Sequence, residues 1–265
     1  MTGLAQLAVL SLFAGIGGLD LGLERAGMRV VGQVEKDPFC RSVLSRHWPE
    51  APCHDDVLTF TDWWQSQPRP AVDVVAGGFP CQPFSLAGKL LGTADPRWLW
   101  PAMAAVVRVV RPRYVLVENV AALVADGRAF GTVLADLAAL GFDAQWAVLH
   151  ATEFGAPTPR ERVYLLAHPP SIHGQPRPVL GQSRTGGTPL AAGGLSGLPA
   201  PERRRAARAW LARQPRVDRL VDGIPHQVDR LRVIGNAVIP AIAQHLGALI
   251  VDHHHRYQSD RGIAA

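Results

Sequence analysis

Cysteine is scarce in this chain of 265 residues: Cys40, Cys53 and Cys81 stand far apart, with no C-x-x-C pair among them. That excludes a disulfide framework and a cysteine-built zinc site, and three isolated thiols suit a reducing compartment. Long apolar runs are missing as well. No uninterrupted stretch approaches the roughly 18 to 20 residues a membrane helix needs, and Met1-Thr2-Gly3-Leu4-Ala5-Gln6 lacks a basic n-region. The expected setting is the cytoplasm, with no membrane partner. Charged residues make up only 18% of the chain against 48% apolar, so it carries enough material for a buried core and no mark of general disorder. No internal repeat is visible. Acidic residues are outnumbered, 22 against 27 Lys and Arg; the net charge of +5 and a pI near 9.6 favour a polyanionic partner, because clustered cations release condensed counterions.

What the chain does contain is an alternation of short apolar runs with helical periodicity. Leu7 to Leu12 reads as a buried strand that breaks at Phe13-Ala14-Gly15-Ile16-Gly17-Gly18. A short helix follows over Leu19 to Ala26, with Gly27 as its stop, and then a strand from Val30 to Val34 that closes on Glu35. The pattern predicts further helices over Pro38 to His47, Trp100 to Val110, Phe130 to Leu140 and Ala241 to Asp252. Strands are expected near Cys53 to Asp55, Val72 to Ala76, Tyr114 to Val117, Ala144 to Leu149 and Val163 to Ala167. Such alternation predicts an α/β fold: a doubly wound, mostly parallel sheet with helices on both faces.

Composition changes after His168. Residues 169–201 are rich in Gly, Pro and Ser without a sustained period, which marks loop or linker. Arginine then crowds in at Arg203, Arg204, Arg205, Arg208, Arg213, Arg216 and Arg219; this is either a solvated helix face or a surface that contacts phosphates. The last helix is expected to pack back on the first layer, leaving residues 253–265 as a frayed tail whose tract His253-His254-His255 is incidental rather than a metal site.

Glycines straight after the first strand let a ligand approach the backbone at the carboxyl edge of the sheet, and Glu35, about twenty residues on at the end of the second strand, can accept hydrogen bonds from ribose hydroxyls. Together they suggest a nucleoside cofactor, although a solvated strand-end Glu is the plainer alternative. Asp55-Asp56-Val57 follows the third strand at the same edge, either as a third contact or as a helix cap.

The fourth strand ends in Gly77-Gly78-Phe79-Pro80-Cys81-Gln82-Pro83-Phe84-Ser85. Two prolines stiffen the Cys81-Gln82 pair and two glycines permit a sharp exit, which holds a thiol outside a core. Cys40 and Cys53 lack that setting and read as small hydrophobes. The neighbouring strand brings Glu118, while Arg160 and Arg162, on alternate residues of an extended segment, point the same way. A cysteine nucleophile needs nearby positive charge, and attack on an aromatic ring needs a proton donor for that ring.

With these residues in place, the chain resembles the cytosine-5 DNA methyltransferase family in its short bacterial or phage form. Phe13 to Gly18 resembles the cofactor loop, Gly78 to Ser85 the Pro-Cys-Gln loop, Glu118-Asn119-Val120 the Glu-Asn-Val motif, Arg160 and Arg162 the Arg-x-Arg motif, and Gly235-Asn236-Ala237-Val238 the late Gly-Asn element, all in the family's order. Thr158 stands where the family commonly has Gln, and the segment between His168 and Arg230, where the family keeps target recognition, is short.

The resemblance implies a Rossmann-like, S-adenosylmethionine-dependent methyltransferase fold. Residues 1–168 plus 232–255 would form the catalytic and cofactor-binding domain, residues 169–231 a small irregular target recognition domain, and residues 256–265 a flexible tail. It implies Cys81 as nucleophile toward C6 of a flipped cytosine, Glu118 at N3 and the exocyclic amine, and Arg162, with Arg160 nearby, at the carbonyl oxygen. The implied cofactor contacts are Phe13, Ala14, Gly15, Ile16, Gly17, Gly18, Glu35, Asp56, Val57, Pro80, Asn236 and Ala237. Pro80 serves equally as a rigid hinge, and Asn236 as a turn residue. Gln82, Ser85, Arg97, Arg203, Arg204 and Arg205 are the implied DNA contacts, and the stretch from Ser85 to Trp100 resembles a loop that closes over DNA. The implied partner is double-stranded DNA, met by a monomer, with a cognate restriction endonuclease as a second partner in the same cell. Two rivals stay open: a tRNA cytosine-5 methyltransferase, and a silent DNA-binding module, against which the intact Cys81, Glu118 and Arg162 argue.

Overall fold

The computed structural model describes residues 6–66, 68–80, 98–156, 160–170 and 237–260. Among them seven strands form one mixed sheet in the order β3-β2-β1-β4-β5-β7-β6. The strands β1 (Ala8–Leu12), β2 (Arg29–Val34), β3 (Cys53–His54), β4 (Val74–Gly77) and β5 (Tyr114–Val120) pair in parallel. β7 (Glu161–His168) runs antiparallel to β5, and β6 (Asp143–His150) antiparallel to β7. Between β6 and β7 the chain has too few residues for a helical crossover, so a hairpin connection with antiparallel pairing results.

Alternation along the central strands sends successive side chains to opposite faces. On one face Leu10, Leu12, Val75, Val115 and Val117 meet α3 (Phe60–Gln65), α4 (Trp100–Val110) and α6 (Gly127–Ala139) through Phe60, Trp100, Met103, Phe130 and Val133. On the other, Val9, Val74, Ala76 and Leu116 meet α1 (Gly18–Arg25), α2 (Pro38–His47) and α7 (Pro240–Asp260) through Leu23, Leu44, Ile242 and Leu246. A short α5 (Ala122–Ala125) links β5 to α6. The sheet is doubly wound, in agreement with the alternation read from the sequence. Its strand order reverses between β1 and β4, and the crevice at their carboxyl ends is where such folds bind ligands.

α3 and α5 have no counterpart in the expected pattern, and α7 and β5 run on past their expected ends. α7 does not stop at Asp252 but continues to Asp260, so residues 253–260 are helix rather than tail. His253 and His254 are the reason. Both are buried, His253 Nδ1 lies 3.0 Å from the Tyr114 hydroxyl, and its ring meets that of His168. A histidine tract that counts as polar in a periodicity thus supplies the buried face of the last two turns. The fifth strand also runs further than Val117, to Val120, which places Glu118 and Asn119 inside the strand rather than after it.

α1 and α7 approach closely because both carry glycine at the crossing. A β-carbon on Gly22 would collide with Ala243 and the Pro240 carbonyl, and one on Gly247 would meet the Ala26 methyl at 2.7 Å. This docking fixes the start of α7, and with it Ala237 and Val238, against the glycine turn.

Candidate active site

Two adjoining cavities open at the carboxyl ends of β1, β2, β4 and β5, and Phe13, Gly78 and Glu118 line both. The first, of about 290 Å³, is bounded by Ser11, Ala14, Gly15, Gly18, Asp37, Cys40, Ala237 and Val238. The second, of about 540 Å³, runs from Glu35, Lys36, Asp56, Val57 and Leu58 past Pro80 to Asn119, Arg160 and Arg162.

The turn after β1 shapes the first cavity. Phe13 holds a left-handed backbone at φ 53°, a strained conformation for a side chain of its size that such sites tolerate where the surroundings enforce it. Gly15, at φ 56°, has nothing within 4 Å of where a β-carbon would sit, so its backbone faces open space and a ligand can approach it directly. Gly17 and Ile16 line neither cavity; the flank of Gly17 is instead occupied by the Trp48 ring, so there glycine serves packing.

Glu35 is not merely a solvated strand end. Its carboxylate accepts from the Gly15 amide (2.7 Å) and the Asp37 amide (2.7 Å), tying the glycine turn to the start of α2. Asp56 takes the capping role and also borders a cavity. It caps the turn at Leu58 (3.0 Å) and lines the second cavity, while Lys36 donates to its other oxygen across 3.3 Å. The bond from the Leu58 amide, more than Lys36, holds its carboxyl below the ordinary range.

The spacing of Arg160 and Arg162 does bring both guanidinium groups to one carboxyl. Arg162 Nε lies 3.2 Å from Glu118 Oε1 and Arg160 Nη2 3.6 Å from it. Among the described residues no donor meets Oε1 in full hydrogen-bond geometry, so both guanidinium groups act on it mainly as ion-pair partners, with Arg162 also lowering its proton affinity through a bond. Burial pushes the Glu118 carboxyl above its usual range, with Arg160 and then Arg162 pulling it back only in part. Arg160 is further committed: its Nη1 donates to the Ala237 carbonyl at 2.6 Å, joining β7 to the entrance of α7.

Asn119 supplies a contact that the residue types alone did not reveal. Its Nδ2 donates 3.0 Å to the Phe79 carbonyl, two residues before Cys81 along the chain, and its Oδ1 accepts from the Val120 amide. Phe79 is buried and packs edge-on against Trp98, so the chain is gripped just before the proline-cysteine step. Ser11 in β1, Lys36 after β2, the α2 cap Asp37 and Leu58 in the turn after β3 are likewise lining residues.

Gly78 explains how Glu118 comes so close to the loop. A β-carbon there would lie 2.6 Å from Glu118 Oε2. Gly78→Ala is therefore expected to displace that carboxyl and lower turnover about a hundredfold, the scale of a misplacement of about 1 Å, with an unchanged circular dichroism spectrum. Turnover near the wild-type value would show that Glu118 has room to yield.

Cys81, Gln82, Ser85, Arg97, Arg203, Arg204, Arg205 and Asn236 lie outside the described residues, as does the segment 171–236. Among the described residues no helix is long and apolar enough to cross a membrane.

Comparison with known proteins converges on one family. Residues 7–182 match the family model for the C-5 cytosine-specific DNA methylase. Type II methyltransferase M.NgoBI of Neisseria gonorrhoeae is 37% identical over 166 residues, covering 62% of this chain and 51% of that protein. Type II methyltransferase M.HaeII of Haemophilus aegyptius is 35% identical over 180 residues, covering 66% and 54%. The chain thus spans about half the length of these curated relatives. Among solved structures, a prophage-encoded E. coli protein described as a DNA modification methyltransferase superposes with a TM-score of 0.53 at 25% identity, covering 62% of this chain and 47% of that one. The DNMT2 of Spodoptera frugiperda, at 24% identity and a TM-score of 0.50 over 63% and 51%, shares the fold.

Proposed function

The chain belongs to the C-5 cytosine-specific DNA methylases, and from that membership we propose that it methylates C5 of a cytosine flipped out of a short, specific sequence of duplex DNA. The observation that carries this reading is the Glu118 carboxyl. It is buried in the wall shared by two cavities, ion-paired with two guanidinium groups and yet with its proton affinity raised by burial. A group so placed is matched to a ring nitrogen that must be protonated.

The cavity residues fit S-adenosylmethionine. The open backbone at Gly15 and the cap residue Asp37 suit its methionyl end; Phe13, Glu35, Asp56 and Val57 suit its nucleoside. When bound, the cofactor supplies a methyl group on a positively charged sulfur. The chain's own residues do the rest. The Cys81 thiolate adds to C6 and Glu118 gives its proton to N3, so C5 becomes nucleophilic without a ring anion building up. Arg162 holds the base at its carbonyl oxygen, while Arg160 anchors Glu118 to the Ala237 segment. After methylation, which leaves the sulfur of the donor as a neutral thioether, the C5 proton leaves to water, the sulfur–C6 bond breaks to return the thiolate, and the N3 proton passes back to the Glu118 carboxylate.

We assign target recognition to residues 169–231. Support comes from β7 ending at His168 and from Ala237, beyond this segment in the chain, accepting a bond from Arg160 at the site.

Incubation with methyl-labelled cofactor and either duplex DNA or tRNA tests the proposal. Label is expected in duplex DNA, at cytosine C5. Label in tRNA alone would make this an RNA enzyme, and label in neither would leave a binding module.

A further inference from the structure

Beneath the glycine turn lies a charged group that the reaction above does not use. Asp20, in the first turn of α1, is fully buried. Its Oδ2 accepts from the Ser11 hydroxyl at 2.9 Å and its Oδ1 from Gln33 Nε2 at 2.8 Å. Ser11 and Gln33 are partners in the β1–β2 register, and Ser11 forms part of the wall of the first cavity. Asp20 therefore stands one side chain behind the floor of that cavity. Among the described residues Gln33 Oε1 is buried with no hydrogen-bond partner.

As a pin between β1, β2 and α1, a carboxyl is a poor choice. Burying a carboxylate costs free energy that two neutral donors do not fully return. An asparagine of the same shape would still accept from Ser11, and its amide could donate to the Gln33 oxygen that now has no partner once that side chain turns over. What only the carboxylate provides is negative charge in a place shielded from water, where charge acts strongly. The ligand proposed for the cavity carries at its methionyl end an ammonium and a sulfonium against one carboxylate, a net positive charge that is lost when the sulfur becomes a neutral thioether.

We propose that Asp20 is a positioning residue of the cofactor pocket: it fixes the Ser11 hydroxyl proton away from the cavity, leaving the oxygen as an acceptor, and sets a buried negative charge that draws in the cationic end of the methyl donor. This rests on the assignment of the first cavity to that end of S-adenosylmethionine. Burial raises the Asp20 pKa to about 6 against the opposing bonds from Gln33 and Ser11, so the carboxyl is mainly ionised at neutral pH and titrates just below it. Glu24, further along α1, pushes in the same direction, and Asp20 in turn helps to raise the Cys53 thiol on β3. Asp37 and Glu118 face the same cavity from the α2 cap and from β5.

Calorimetric titration of the chain with S-adenosylmethionine and with its demethylated thioether product, together with thermal melting without ligand, tests this. Wild-type affinity for the methyl donor should rise with pH through about 6, with proton release on binding, because a bound cation favours the carboxylate. In Asp20→Asn the affinity at about pH 7.5 should fall about tenfold, equivalent to one unit of pKa, and lose its pH step. The neutral-sulfur product should lose less. Without ligand the variant should melt no lower than the wild type above pH 6, since the cost of burying the ion is gone, whereas removal of a merely structural pin would lower the melting temperature. Ser11→Ala, which keeps the charge, should weaken the donor while retaining the pH step. Absence of proton release by the wild type overturns the proposal even if Asp20→Asn fails to fold. If the wild type binds and Asp20→Asn binds equally well at both pH values, Asp20 has no such role although the pocket stands. If the wild type binds neither ligand, the pocket assignment itself falls.

Discussion

Replacing Cys81 with alanine will stop methyl transfer, by about 10⁵-fold or more, the scale of losing a covalent nucleophile. It should leave binding of S-adenosylmethionine within about threefold of the wild type, because the adjoining cavity is built without that side chain. The expectation rests on how the chain is delivered to residue 80. Pro80 lines the larger cavity together with Glu118, Arg160 and Arg162, and consecutive α-carbons are about 3.8 Å apart. The grip of Asn119 on the Phe79 carbonyl and the packing of Phe79 between Trp98 and Trp100 fix the last described step before the thiol. No other cysteine can substitute. Cys40 is buried against the other cavity, and burial raises the Cys53 thiol to about 11, far from a thiolate at neutral pH. Labelled methyl transfer to duplex DNA measures the first quantity and calorimetry the second. Turnover of Cys81→Ala within tenfold of the wild type would remove the thiol from the reaction.

Much of this architecture was legible because it depends on local pattern. The parallel core follows from apolar runs alternating with helical periods, and the edge that holds the site follows from glycine, acid and cysteine signals, each placed at a strand end. What escaped the pattern depends on contacts between residues distant in sequence. The extension of α7 needs Tyr114 and His168 beneath His253, separations of more than eighty residues that no window registers. The antiparallel direction of β7 leaves no mark in its sequence, because its apolar run is buried on both faces like those of the parallel strands. In the site, Arg160 read as a partner of Arg162 at the substrate, and its hydrogen bond to the Ala237 carbonyl shows a second task that its residue type could not announce. Asn119 stood within a recognised motif, but its purpose, holding the Phe79 carbonyl, exists only once β4 and β5 lie side by side. Asp20 sat unnoticed in an amphipathic helix because full burial of one carboxyl is a tertiary fact.

Glu118→Gln separates the acid from the shape it occupies. The amide keeps the size of the side chain and its place above Gly78, yet it has no proton to give, so turnover should fall about 10² to 10⁴-fold, the range of general acid catalysis. In the wild type, burial outweighs Arg160 and Arg162 and raises the Glu118 pKa. Turnover should accordingly decline on the alkaline side as Glu118 loses its proton, while on the acid side it is limited by formation of the Cys81 thiolate, giving a bell-shaped profile. Glu118→Gln should lose the alkaline limb that belongs to this residue. Stability has its own sign. A carboxyl whose folded pKa lies above its unfolded value of 4.5 binds its proton more tightly in the folded chain, so wild-type stability is lost as pH rises from that value through the raised one. The glutamine variant has no such titration, and its melting temperature relative to the wild type should climb over the same interval. A variant that is inactive but no less stable at alkaline pH is the expected result. One that retains wild-type turnover with an unchanged pH profile would exclude Glu118 as the proton donor, and one that unfolds at every pH would mean that the two guanidinium groups depend on this carboxyl more than burial opposes it.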